Sequence, residues 1–124
     1  MKAKLFSAVA YLGVFGAALL GAATPATAAT LDLDRIFLCA GEDEASRAIC
    51  GEARGIIMFT CQGCHAFVRV VRARFEPAGW AGVIDRHRTR VAGKLTNEEL
   101  EHLQSYLTAN FRLGVPPPEL PPNF

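Results

Sequence analysis

Two cysteines three positions apart, with a histidine directly behind the second, constrain this chain more than any other feature: Cys61, Cys64 and His65 in the stretch FTCQGCHAF. Three chemistries use cysteines at that spacing, namely a thioredoxin-type redox pair, a zinc site and the covalent attachment of a haem. Each demands different surroundings.

A thioredoxin-type pair follows a strand in a βαβ setting, whereas the pattern around Cys61 is helical. A structural zinc site takes four ligands, normally as two pairs. Cys39 and Cys50 are eleven apart and no pair of histidines follows, so a second half-site is missing. Haem attachment needs nothing further. Two thiols three apart can add across the two vinyl groups of one porphyrin edge, and the next residue, His65, is then carried under the iron as an axial ligand. One covalently attached haem c per chain is the expectation.

The first thirty residues decide the compartment. Lys2 and Lys4 precede an uncharged apolar run from Leu5 to Ala23, which gives way to the small-residue stretch TPATAAT. That order is a secretory signal peptide cut near Ala28; the rival is a membrane anchor, against which Pro25 and the Ala/Thr sequence argue. Removing residues 1–28 leaves 96 residues, one small domain expected in the periplasm with no stable membrane insertion. Lys2 and Lys4 go and no acid does, so the formal charge falls from +1 to −1, which points away from nucleic acid or an anionic membrane as partner. All four cysteines are in the exported part, where disulfides persist. With Cys61 and Cys64 engaged, Cys39 and Cys50 pair most simply with each other.

The periodicity is helical. The acidic patch Glu42, Asp43 and Glu44 suits a first turn, and Ala48, Ile49, Ala53, Ile56, Ile57 and Phe59 continue one helix, whole or broken, over 45–60. Over 66–79, Val68, Val70 and Ala73 fit a short strand ending in a turn at Pro77 and Gly79. Trp80, Val83, Ile84, His87 and Val91 form one face of a short helix closing at Gly93. Thr96 with Glu99 forms a capping box opening a helix to Phe111, with Leu100, Leu103, Tyr106, Leu107 and Phe111 on its apolar face. The last residues, 114–124, carry five prolines and favour an extended tail, whether a strap, a docking segment or a disordered end.

The series CQGCH, Arg74, Trp80, VIDRH, LTNEEL and YLTANF resembles class I c-type cytochromes, in particular the small exported cytochrome domains that serve periplasmic dehydrogenases. The likeness covers residues 41–113, with 29–40 as an N-terminal extension. It implies a mostly α, cytochrome c-like fold around one haem, with 45–60 and 96–111 as a crossing pair of helices. It also implies Arg74 and Trp80 as contacts of the haem propionates, although Trp80 can equally fill the core.

In that family the sixth iron ligand is usually a methionine near the segment after the tryptophan. This chain has none after Met58, and His87 stands in the corresponding place. His87 is therefore the candidate sixth ligand, against the plain reading of a half-buried core histidine. Met58 reads as core, and His102, off the apolar face, as solvent-exposed. Arg69, Arg72, Arg74, Arg86, Arg88 and Arg90 form either a solvated face or a patch that steers an acidic partner.

With His65 and His87 both bound, the iron has no open place for substrate, and the chain is an electron-transfer protein rather than an enzyme. Its partners would be redox proteins such as a periplasmic dehydrogenase or oxidase. Two alternatives stay open: a haem protein whose vacant or weak sixth site takes oxygen or nitric oxide, and a haem subunit of a larger redox complex.

Overall fold

In a computed structural model, residues 30–122 and Phe124 are described, and they are mostly helical with no strand among them; the leader expected over 1–28 lies outside them. The helices are α1 (Leu33–Ile36), α2 (Glu44–Gly55), α3 (Val68–Arg72), α4 (Pro77–Arg88) and α5 (Asn97–Asn110). None is long and apolar enough to cross a membrane.

The acidic patch opens α2 as expected. Asp43 is its N-cap and accepts from the backbone N–H of Ser46 at 2.9 Å and from its hydroxyl at 2.6 Å. The α-helix stops at Gly55, and the chain continues through one π-helical turn, Ile56–Thr60, so the expected helix over 45–60 is one broken helix. Within that turn Ile56 and Ile57 enter the core while Phe59 faces solvent at 84% exposure.

The strand considered over 66–79 does not form. Phe67 and Val71, four apart, are both buried, and that spacing puts them on one side of a helix, α3, rather than on one face of a strand. Pro77, read as part of a turn, instead opens α4 at its first position, where its missing N–H costs nothing.

The capping box forms in full. Glu99 N–H donates to Thr96 Oγ1 at 3.1 Å and Thr96 N–H to the Glu99 carboxylate at 2.6 Å. Leu100, Leu103, Tyr106 and Leu107 of α5 are buried, as is Phe111 just beyond it. Helices α2 and α4 both pack on α5. Ala53 is the one buried residue of α2, and a Cβ on Gly51 or Gly55 would meet nothing.

The residues ahead of α2 belong to the core rather than merely extending it. Ile36 and Phe37 are buried, and the expected disulfide joins Cys39 to Cys50 on α2. Tyr106 donates its hydroxyl to Leu38 O at 3.0 Å, and Ala40 N–H donates to Asn110 Oδ1 at 2.9 Å. Burial pushes the Tyr106 phenol far up, so it stays a neutral donor.

The proline-rich end is a strap. Gly114, at φ 86, turns the chain in a way side-chain-bearing residues rarely adopt. Beyond it Leu120 packs on the core, and the Phe124 ring lies 6.1 Å from that of Phe67.

Candidate functional site

A cavity of about 380 Å³, within the range of small-molecule sites, opens between the Cys61 segment, α3, α4 and α5. Its wall is almost wholly apolar: Ile57, Val70, Val83, Ile84, Leu103 and Leu107 are among its lining residues. Cys61, Cys64, His65 and His87 all line it too, so the structure brings together the four residues that carried the sequence argument.

Local hydrogen bonding explains how the cysteines and His65 share one edge. The Cys61 N–H donates five residues back to Ile56 O, completing the π-helical turn. The Cys61 carbonyl then accepts from Cys64 N–H at 3.2 Å and His65 N–H at 3.4 Å. This tight turn folds the segment onto itself. Such single π-helical turns are rare and concentrate at functional sites.

Cys61 and Cys64 are not bonded to each other. Burial, and secondarily the neighbouring Cys64, pushes the Cys61 thiol up. A redox-active pair wants a lowered thiol, so this environment does not suit thioredoxin-type exchange. Among the described residues no three His, Cys, Asp or Glu side chains converge as a metal cluster would require. That disfavours a structural zinc site, which draws all its ligands from the protein. A porphyrin brings its own four nitrogens and asks the chain for two.

His65 and His87 supply such a pair. Their ring centroids are 6.3 Å apart with planes at 89°. His87 Nδ1 lies 2.8 Å from Val83 O, one turn back on α4. A carbonyl only accepts, so Nδ1 carries the proton and Nε2 keeps its lone pair for a metal. His65 Nδ1 makes the corresponding but longer approach, 3.4 Å, to Ala66 O. The residues therefore fit a covalently held haem: two thiols and two neighbouring imidazoles lining one apolar cavity.

Other residues named from the sequence have partners of their own. The Trp80 indole N–H is committed to Phe111 O at 2.9 Å in a buried position, so Trp80 fills the core and borders the cavity without a donor to offer a propionate. Arg74 is absent from the cavity wall. Its guanidinium donates to Val71 O, Ala73 O, Val115 O and Pro116 O at 2.7–2.9 Å and sits 5.0 Å from the Phe111 ring centre, so it fastens the strap. Arg72 and Arg88 are also engaged, with Phe124 O and Asn97 Oδ1. His102 is half-buried rather than fully exposed, with Nδ1 2.5 Å from a Glu52 carboxylate oxygen across the α2–α5 contact, away from the cavity.

The sequence reading placed Arg69 and Arg90 in a general basic cluster, whereas both line this cavity. Their spacing held the signal: Arg90 follows His87 by three and Arg69 follows His65 by four.

No family model, curated protein or solved structure matches the chain.

Proposed function

We propose that this chain is an exported monohaem c-type cytochrome that passes single electrons between a periplasmic dehydrogenase or other redox enzyme and the respiratory chain. The observation that carries the reading is the pair His65 and His87, 6.3 Å between ring centres, lining one apolar cavity together with Cys61 and Cys64. The resemblance of CQGCH, LTNEEL and YLTANF to class I c-type cytochromes supports it, as does an all-helical frame in which the helices expected to pair, α2 and α5, pack together.

A haem supplies one-electron chemistry at its iron, and the chain's own residues hold, orient and tune it. Cys61 and Cys64 would hold it covalently, and His65 and His87 would ligate its iron. The Val83 carbonyl fixes the His87 tautomer, and the apolar walls exclude water. Two imidazoles leave no coordination site for substrate, which favours electron transfer over catalysis. They also lack the thioether that raises the potential of His/Met centres, so a lower potential than in a His/Met relative follows. Export fits the leader-like sequence and the Cys39–Cys50 disulfide. Arg86, exposed, off the cavity wall and without a side-chain bond among the described residues, would help steer an acidic partner.

The test is the visible spectrum of the purified protein in both redox states, with and without carbon monoxide, together with His87→Ala. The expected result is a covalently attached, low-spin haem that ignores carbon monoxide, and a variant that binds it. A protein without covalent haem overturns the reading. Carbon monoxide binding by the parent protein, with a spectrum unchanged by His87→Ala, would replace electron transfer with small-gas binding.

A further inference from the structure

Apart from the two imidazoles, the ionisable side chains on the cavity wall are the two thiols and two guanidiniums, Arg69 on α3 and Arg90 just past α4. Among the described residues no aspartate or glutamate lines the cavity, so none neutralises this positive charge there. Both arginines are exposed, which puts them at the rim. Neither has a hydrogen bond or ion pair from its side chain among the described residues, in contrast to Arg72, Arg74 and Arg88.

An apolar cavity with two idle guanidiniums at its rim is complementary to a ligand with an apolar body and carboxylates at its edge. The planar five-donor fork of arginine matches a carboxylate, and at the rim it binds without being dragged out of water. A haem has that form: a flat apolar macrocycle carrying two propionates. We propose that Arg69 and Arg90 hold the haem propionates, the part that family likeness gave to Arg74 and Trp80. The assignment rests on the haem reading above and goes further by naming the residues that recognise the charged edge.

A propionate beside a guanidinium stays ionised at lower pH than one facing water. Its charge is felt at the iron, so the arginines control how far the reduction potential follows pH. The experiment takes the holoprotein and its variants Arg69→Gln, Arg90→Gln and Arg86→Gln, and measures the midpoint potential from weakly acidic to neutral pH. Arg86 is on α4 like His87 but off the cavity wall, and its replacement removes the same charge.

The parent is expected to give a nearly flat trace. In Arg69→Gln and Arg90→Gln the freed propionate takes up a proton within the scanned range. The potential then falls as pH rises through that range, because the newly ionised carboxylate favours the ferric state. Arg86→Gln shifts the trace without adding a slope. If the two rim variants run parallel to Arg86→Gln, or if Arg74→Gln alone produces the slope, the assignment is overturned. A haem assay on the same samples separates the failures: absence of covalent haem removes the underlying reading and this assignment with it, whereas covalent haem with flat traces removes only the assignment.

Discussion

The two sides of α5 meet different kinds of neighbour. Toward α2 and the N-terminal segment, polar groups find protein partners: Tyr106 bonds Leu38 O, Asn110 bonds Ala40 N–H and Tyr106 O, and His102 meets Glu52. The Cys39–Cys50 bond ties that side together covalently. Toward α3 and α4, Leu100, Leu103 and Leu107 look instead into the cavity. One side is completed by amino acids alone. The other presents apolar surface whose burial would be worth roughly 25 cal/mol per Å² to whatever fills it. A helix pair of this size can thus act as a rigid back wall for a half-domain shaped to something other than protein.

The largest way to break this contrast is to replace both Cys61 and Cys64 by Ala. The expected outcome is complete loss of covalent haem, read by a haem assay on the denatured protein. On the haem reading proposed above, amide exchange should then rise across α3 and α4 while α2 and α5 keep their protection, since only the cavity side would lose its filling. Equal loss of protection on both sides would show that the two halves are not separate in stability.

The protein-filled core behind the cavity wall is broken at Phe111. Its ring is buried against Tyr106 and Arg74, and its carbonyl receives the Trp80 indole, yet it does not line the cavity. Phe111→Ala should cost about 3–5 kcal/mol in urea unfolding, with the haem spectrum unchanged. Removing the disulfide by Cys39→Ser with Cys50→Ser should cost about 2–3 kcal/mol on loop-closure grounds. Intact mass under reducing and non-reducing conditions checks that the bond was present in the parent. A shifted spectrum in either variant would mean that the back wall sets the cavity's shape more closely than the contacts indicate.

The same division governs what the sequence disclosed. Thr96 and Glu99, the apolar stripe of α5, the Cys39–Cys50 pair and the gathering of Cys61, Cys64, His65 and His87 were legible, because each depends on local spacing or on simple pairing. The π-helical turn at Ile56–Thr60 was not, since a shift of one hydrogen bond leaves no mark on apolar periodicity. Helix α3 was misread because Val68 and Val70 invite period two while the buried pair, Phe67 and Val71, is set by period four. The engagement of Arg74 and Trp80 with protein carbonyls was not legible either, for a tertiary reason. Besides the local carbonyls of Val71 and Ala73, their partners Val115, Pro116 and Phe111 are at least 31 residues away, and only the fold shows that their donors are already taken.

The smallest effect sharpens the comparison, because the capping box at the start of α5 supports the helix that both sides share. Thr96→Ala should cost about 1 kcal/mol and lower the protection of both sides together, without a change in spectrum. Glu99 adds a pH signature. The Thr96 backbone N–H, and then the Thr96 side chain, hold its carboxyl below its ordinary value of 4.5. A depressed folded pKa means the contribution is present above the unfolded value and is lost as pH falls through the folded one. Glu99→Gln should therefore be less stable than the parent at neutral pH, with the two stability curves converging below pH 4.5. A gap that stays constant through the acid range would show that the Glu99 charge contributes nothing and that the box works through neutral hydrogen bonds alone.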